Sequence, residues 1–206
     1  ETALEIDVFI KKGSRFFNFF NRYHYMLSFI LFAFITSITP GPNNSMLMSS
    51  GIRFGVKRSL PHLFGINIGF GVMYLGVGSI LPIIPIKFIV ILEYIAMALL
   101  VYIAFKIATA STEINDSNTE DKPWGFLKAA AFQWINPKAL MMAFAGTTSY
   151  GLDTVTAAAI FTATNVVCGA WIFAGSWMRQ FLLASPNRTR AIYIVLTITM
   201  IGTMVF

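Results

Sequence analysis

Two stretches of this chain, residues 60–85 and 154–178, contain no Asp, Glu, Lys or Arg. About 20 helical residues cross the roughly 30 Å hydrocarbon layer of a bilayer, so runs of that length make lipid the solvent of much of this chain. Composition agrees: 56% of the 206 residues are apolar and 12% are charged, against about 25% charged in soluble domains. The fold class expected is therefore an all-α integral membrane protein.

Six apolar runs can be drawn, at 27–50, 60–81, 88–105, 126–147, 155–177 and 191–206. The sixth is short for a span at 1.5 Å per residue. Either its helix begins near Thr189 or the chain continues past Phe206, and we expect the second. Basic residues near helix ends report orientation. Arg53, Lys57 and Arg58, then Lys106, Lys122 and Lys128, then Arg179, Arg188 and Arg190 follow runs one, three and five, whereas only Lys87 lies in the even-numbered connections. The odd-numbered connections are thus expected in the cytoplasm and both termini outside.

Residues 1–25 oppose this, because Lys11, Lys12, Arg15 and Arg22 would lie outside. Met26 stands directly before the first run, and we expect the transporter unit to be 26–206 with 1–25 a non-native or dispensable extension. A signal peptide fits less well, since no small-x-small cleavage site precedes Pro40; an aromatic, basic interfacial helix is the other reading.

Residues 108–125 form a polar linker between two halves, 26–107 and 126–206. The halves look related. Ile38-Thr39-Pro40 aligns with Ile135-Asn136-Pro137 at an offset of 97, and Asn67 and Gly71 with Asn165 and Gly169 at an offset of 98. A repeated three-span unit inserts upside down the second time, and such inverted repeats carry the transport site near the midplane at their interface.

Run one holds Thr39-Pro40-Gly41-Pro42-Asn43-Asn44. Two prolines remove N–H groups and free the carbonyls of Thr36 and Ile38, which in lipid must find partners. Gly41 permits a sharp turn, and Thr39 or the asparagines can cap the helix that restarts. Freed carbonyls suit an ammonium and a new helix N-terminus suits a carboxylate, together the shape of an amino-acid zwitterion. Run four repeats the theme with Asn136-Pro137-Lys138. A lysine about ten residues from either end of its run is too deep to snorkel comfortably, and Lys138 is expected to face the substrate carboxylate.

In run two, Gly65, Gly69 and Gly76 share one face, a small-residue pattern for close helix contact; Asn67, Gly71, Tyr74 and Gly78 share the other. Thr162, Asn165, Gly169 and Ser176 share a face of run five. These polar faces either line a path or bond helix to helix. Glu93 is the one carboxylate well inside a run and the candidate for proton coupling, with an interfacial position beside Tyr94 as the plainer reading. His62 is expected at the interface.

Cys168 is the one cysteine and His24 and His62 are the two histidines, so neither a disulfide within the chain nor a His/Cys metal site is expected, and no cofactor is called for. The net charge of +6 is spread over short groups between apolar runs, which speaks for topology signals rather than nucleic acid.

Thr39-Pro40-Gly41-Pro42-Asn43 and Asn136-Pro137-Lys138-Ala139 resemble the two hallmarks of the LysE/RhtB amino-acid exporters, over a region from about Met26 to the end. Lys106-Ile107-Ala108-Thr109 and Phe132-Gln133 are similar to the branch that contains the cysteine/O-acetylserine exporter. The resemblance implies a bacterial inner-membrane carrier that moves small amino acids outward, driven by proton exchange. Many members carry a Phe-Leu-Pro-type segment after the second hallmark, where this chain has Phe144-Ala145-Gly146. An intramembrane enzyme would need a nucleophile with a base, paired acids or metal ligands at membrane depth, and no such set is present; a purely structural membrane protein is the remaining alternative. The sequence leaves oligomeric state open, a homodimer included.

Overall fold

The computed structural model describes residues 23–80, 83, 85–109 and 122–205, and every regular element among them is helical. A first helix, α1 (Tyr23–Ile38), is followed by α2 (Pro42–Ile80), α3 (Ile86–Ala108), α4 (Phe126–Phe132), α5 (Pro137–Ser149), α6 (Thr154–Asn165), α7 (Gly169–Leu183) and α8 (Pro186–Val205). Single 3-10 turns, Gln133–Ile135 and Val166–Cys168, join α4 to α5 and α6 to α7. Each expected apolar run is helical. Residues 1–22 lie outside the described residues, and with them most of the extension expected to be dispensable.

Two boundaries differ from the sequence reading. Where a connection of several residues was expected after run one, α2 passes from its first arm, 42–54, to its second, 56–80, through Gly55 alone, at φ 74° and ψ 177°. Only glycine occupies that region without strain, and the hydroxyls of Ser50 and Ser59 meet at 2.7 Å beside the bend. The last helix begins at Pro186, five residues before the expected start, because proline is preorganised for the first helical position. Its 20 residues reach about 30 Å at 1.5 Å each.

Packing between these helices rests on small residues that let backbones approach, as expected where lipid removes the hydrophobic drive between helices. A Cβ on Gly51 would meet the carbonyl oxygen of Ile172 at 2.3 Å, and one on Gly175 would meet that of Met48 at 2.3 Å. The first arm of α2 and α7 therefore touch backbone to backbone. The glycine face foreseen for run two is used in the same way: Gly65 lies on Phe126, Gly69 on Ala130 and Gly76 on Trp134. Its opposite face is also packed, with Gly71 against Thr162 and Gly78 against Thr154, so these positions join helices.

Apolar side chains fill the spaces between. Phe29, Phe70, Tyr74, Met142 and Phe161 form one cluster among α1, α2, α5 and α6; Met46, Ile52, Ile103, Tyr193 and Leu196 form another among α2, α3, α7 and α8. Phe64, Ile68, Val72 and Leu75 run as an exposed stripe along α2, a surface suited to lipid and not to water.

Candidate functional site

The break after α1 should leave its last carbonyls without helical partners. Side chains supply them instead, two from just past the break and two from distant Cys168 and Trp171. Thr39 Oγ1 donates to Thr36 O at 3.0 Å, Trp171 Nε1 to Ile38 O at 3.0 Å, and Asn44 Nδ2 to both Ser37 O and Thr39 O at 2.7 Å. Cys168 Sγ donates to Ser37 O at 3.2 Å. Asn44 thus reaches backward to close the end of α1, and the α2 N-terminus has no side-chain cap from it, contrary to the capping role the sequence suggested. The position flanking α2 is Gly41, which shows no positive φ; its lack of a side chain serves close approach, since a Cβ there would lie 2.7 Å from Lys138 Cδ.

Lys138 enters from the other broken segment. At the first turn of α5 its ammonium donates three bonds of 2.9 Å, to Thr39 O, Thr39 Oγ1 and Pro40 O. An ammonium has three donors, so all are spent on the break of the first helix. This revises the expectation that Lys138 faces a substrate carboxylate: the unpartnered carbonyls attract it more strongly than open space does. One cation satisfies the Thr39 and Pro40 carbonyls in the break, while Thr39 Oγ1 and Trp171 serve the carbonyls of Thr36 and Ile38 that the prolines freed.

A second link lies beside it. Asn43 Nδ2 donates to Gln133 Oε1 at 2.8 Å, and Gln133 Nε2 returns a bond to Asn43 Oδ1 at 3.1 Å. Gln133 is fully buried and its amide also donates to Ala129 O at 3.0 Å. Both breaks end on a proline, Pro42 and Pro137, and α5 restarts behind Asn136, extended at φ −80° and ψ 110°, with no side-chain cap.

The two helix starts border one small internal pocket of about 20 Å³, lined by Ser37, Asn43, Asn44, Asn136, Asn165 and Cys168 among others. Room for about one water requires 10–15 Å³, so the pocket as it stands holds about one water and no amino acid. Its wall holds polar atoms with no hydrogen-bond partner in the protein, Ser37 Oγ, Asn44 Oδ1, Asn136 Oδ1 and Asn165 Nδ2. Native interiors seldom leave such groups unpaired, and each calls for an explanation.

Of the residues singled out from sequence, Gly41, Pro42, Asn43, Asn44, Asn136, Lys138 and Asn165 line this pocket. Thr39 and Pro40 are tied to it through Lys138, and Pro137 begins the helix that borders it. Asn67 is buried but does not line it, and bonds to Leu63 O in its own helix at 3.1 Å. Glu93 falls on α3, and its side chain lies outside the described residues. Gln133, Ser37, Trp171 and Cys168 were not foreseen as site residues. The signs available for Gln133 were a lone amide four residues before Pro137 and the resemblance carried by Phe132-Gln133.

At the end of the bundle carrying the odd-numbered connections lies a larger cavity of about 790 Å³, reached by Arg53, His62, Lys106, Lys122, Trp124 and Lys128. His62 is buried inside the protein at this end of the bundle. Residues 34–206 match the family model described as LysE type translocator. The chain belongs to the LysE family. Among similar LysE relatives, the cysteine/O-acetylserine efflux protein of Salmonella typhimurium is 32% identical over 117 residues, 55% of this chain and 59% of the relative. The protein of that name in Escherichia coli O1:K1 is 30% identical over 148 residues, 70% and 69% of the two chains. The chain thus spans less than two thirds of the length of the Salmonella relative. No solved structure matches it.

Proposed function

We infer that this LysE-family membrane protein is a secondary transporter that exports small neutral amino acids or their derivatives, cysteine and O-acetylserine among them, from the cytoplasm. The observation that carries this reading is the pocket between the two breaks, where the starts of α2 and α5 meet unpartnered amide and hydroxyl groups. Helix N-termini attract a carboxylate, and the amide oxygens of Asn44 and Asn136 suit an ammonium. Because the carbonyls of the first break are already bonded, these oxygens take the place of the freed carbonyls as partners for the amine. Thr39, Pro40 and Lys138 act by holding the break, Asn165 lines the pocket itself, and Asn67 supports the helix behind it.

The six helical runs act as six spans in two inverted three-span repeats, 26–107 and 126–206, joined by a cytoplasmic linker at 108–125. The support is the offset of 97 and the restart of both broken helices at a proline, Pro42 and Pro137. Nine basic residues in the odd-numbered connections put that side inward, in the inner membrane of a bacterium. Coupling is by proton antiport, as the family resemblance implies, with Glu93 the candidate carboxylate. Residues 1–25 are dispensable for this activity. The pocket must open for substrate to enter, and separation of Asn43 from Gln133 would free the segment whose Phe132 and Ile135 line the larger cavity.

The test is efflux of radiolabelled amino acids from loaded cells with and without the protein. Faster loss of cysteine or O-acetylserine than of large or basic amino acids is expected. Identical loss in both strains for every amino acid would end the transporter reading.

A further inference from the structure

Entry to the small pocket and room within it are separate needs. The pocket holds about one water, whose share of the liquid is roughly 30 Å³, and every amino acid is several times that size. Some part of the wall must therefore yield when substrate binds. The polar part is tied down. Lys138 bonds to Thr39 and Pro40, Asn44 to Ser37 O and Thr39 O, and Cys168 Sγ to Asn165 Oδ1 at 3.1 Å. Moving any of them strands a buried donor or acceptor.

The apolar side chains of the lining are Pro42, Phe70, Ala139 and Met142, and they differ in freedom. The Pro42 ring is fixed to the backbone at the start of α2, and Ala139 has no side chain to swing aside. Phe70 is 1% exposed, with its ring centre 4.7 Å from that of Phe161 and 6.0 Å from that of Tyr74, so it belongs to a packed aromatic cluster. Met142 is unbranched, and a methionine, with three rotatable bonds and a polarizable sulfur, refits an irregular gap easily. It follows Lys138 by one turn of α5, a spacing that puts both side chains on one face of the helix.

We propose that Met142 is the part of the wall that yields, and that it sets how long a substrate side chain this carrier accepts. The amine and carboxylate stay at the asparagines and the helix starts, and the side chain takes the space that Met142 vacates. The proposal rests on the reading of this pocket as the substrate site and deepens it, by restricting the cargo to amino acids with short side chains and naming the residue that imposes the restriction.

2-Aminobutyrate and norleucine carry the same zwitterion and differ only in the length of an unbranched side chain, by two methylenes. Each added methylene that finds room tightens binding roughly fourfold, equivalent to about 0.8 kcal/mol. Equilibrium binding of each, radiolabelled, to the purified full chain in nanodiscs is expected to be no tighter for norleucine. In Met142→Ala, the affinity for norleucine relative to 2-aminobutyrate is expected to rise by roughly tenfold. Met142→Val, a smaller truncation that disturbs the packing less, is expected to shift the ratio the same way by a fewfold. Met141→Ala, at a neighbouring position that is 55% exposed, is the control and is expected to leave the ratio as it is. Norleucine bound more tightly than 2-aminobutyrate by the unmodified protein, or a ratio that neither Met142 variant shifts, overturns the proposal and leaves the pocket as a substrate site. Binding of neither amino acid overturns the substrate-site reading and the proposal with it. A shifted ratio in a protein that exports nothing supports the proposal and counts against the transporter reading alone.

Discussion

Asn43, at the start of α2, and Gln133, in the turn that ends α4, exchange two hydrogen bonds of 2.8 and 3.1 Å. The pair fastens two interrupted helices to each other beside the pocket their starts enclose. Asn43→Ala strands Gln133 Oε1, and Gln133→Ala strands the asparagine in turn. A double-mutant cycle on the thermal stability of the purified protein is expected to show a coupling of about 0.5–3 kcal/mol. Strictly additive effects would mean that the two amides do not act as a bridge. Efflux by each single variant is expected to fall severalfold at near-normal membrane abundance.

Lys138→Met removes the donor to Pro40 O and two of the bonds made to Thr39. Thr39 O keeps Asn44 as a donor, so the main loss is one stranded carbonyl, worth about 1–3 kcal/mol when buried. The melting temperature in detergent and the efflux rate are expected to fall together. Unchanged melting with abolished efflux would return Lys138 to a role in contacting substrate.

The contact of α2 with α7 leaves no room for a methyl group. Gly51→Ala and Gly175→Ala would place a Cβ 2.3 Å from a backbone oxygen, and overpacking of this kind typically destabilises by about 1–3 kcal/mol. Both variants are expected to accumulate poorly in the membrane when followed as fluorescent fusions. Gly202→Ala, where nothing lies within 4 Å, is the control and is expected at normal abundance. Normal levels for all three would show the α2 and α7 backbones to be farther apart.

Orientation has its own test. Single cysteines placed between residues 115 and 121, with Cys168 replaced by alanine, are expected to resist membrane-impermeant thiol reagents in intact cells and to react once the cells are opened. Prompt labelling from outside would reverse the assignment of the basic connections.

The breaks were legible because proline in an apolar run announces a missing N–H, and the offset of 97 announced that they belong together. What bonds to what was not legible. Lys138 was expected to meet a carboxylate, but a cation in a sparsely hydrated site pairs with the nearest unmet acceptors, and Thr39 and Pro40 present them. Asn44 caps the helix behind it for the same reason. Gly65, Gly69 and Gly76 declared their contact by spacing, whereas Gly51 and Gly175 are single glycines whose role depends on a helix more than a hundred residues away. That His62 turns inward was not legible, because position along a run says nothing about which face is buried.

Cys168 is the chain's one cysteine and lines the small pocket, so the unmodified protein carries its own reporter of the site. The rate at which N-ethylmaleimide alkylates it, followed by intact-mass spectrometry of protein in nanodiscs, measures access to that pocket directly. Saturating O-acetylserine is expected to slow alkylation severalfold, while a large basic amino acid leaves it unchanged. If O-acetylserine is exported and yet the alkylation of Cys168 proceeds at the same rate with and without it, the pocket between the two breaks is not where the substrate binds.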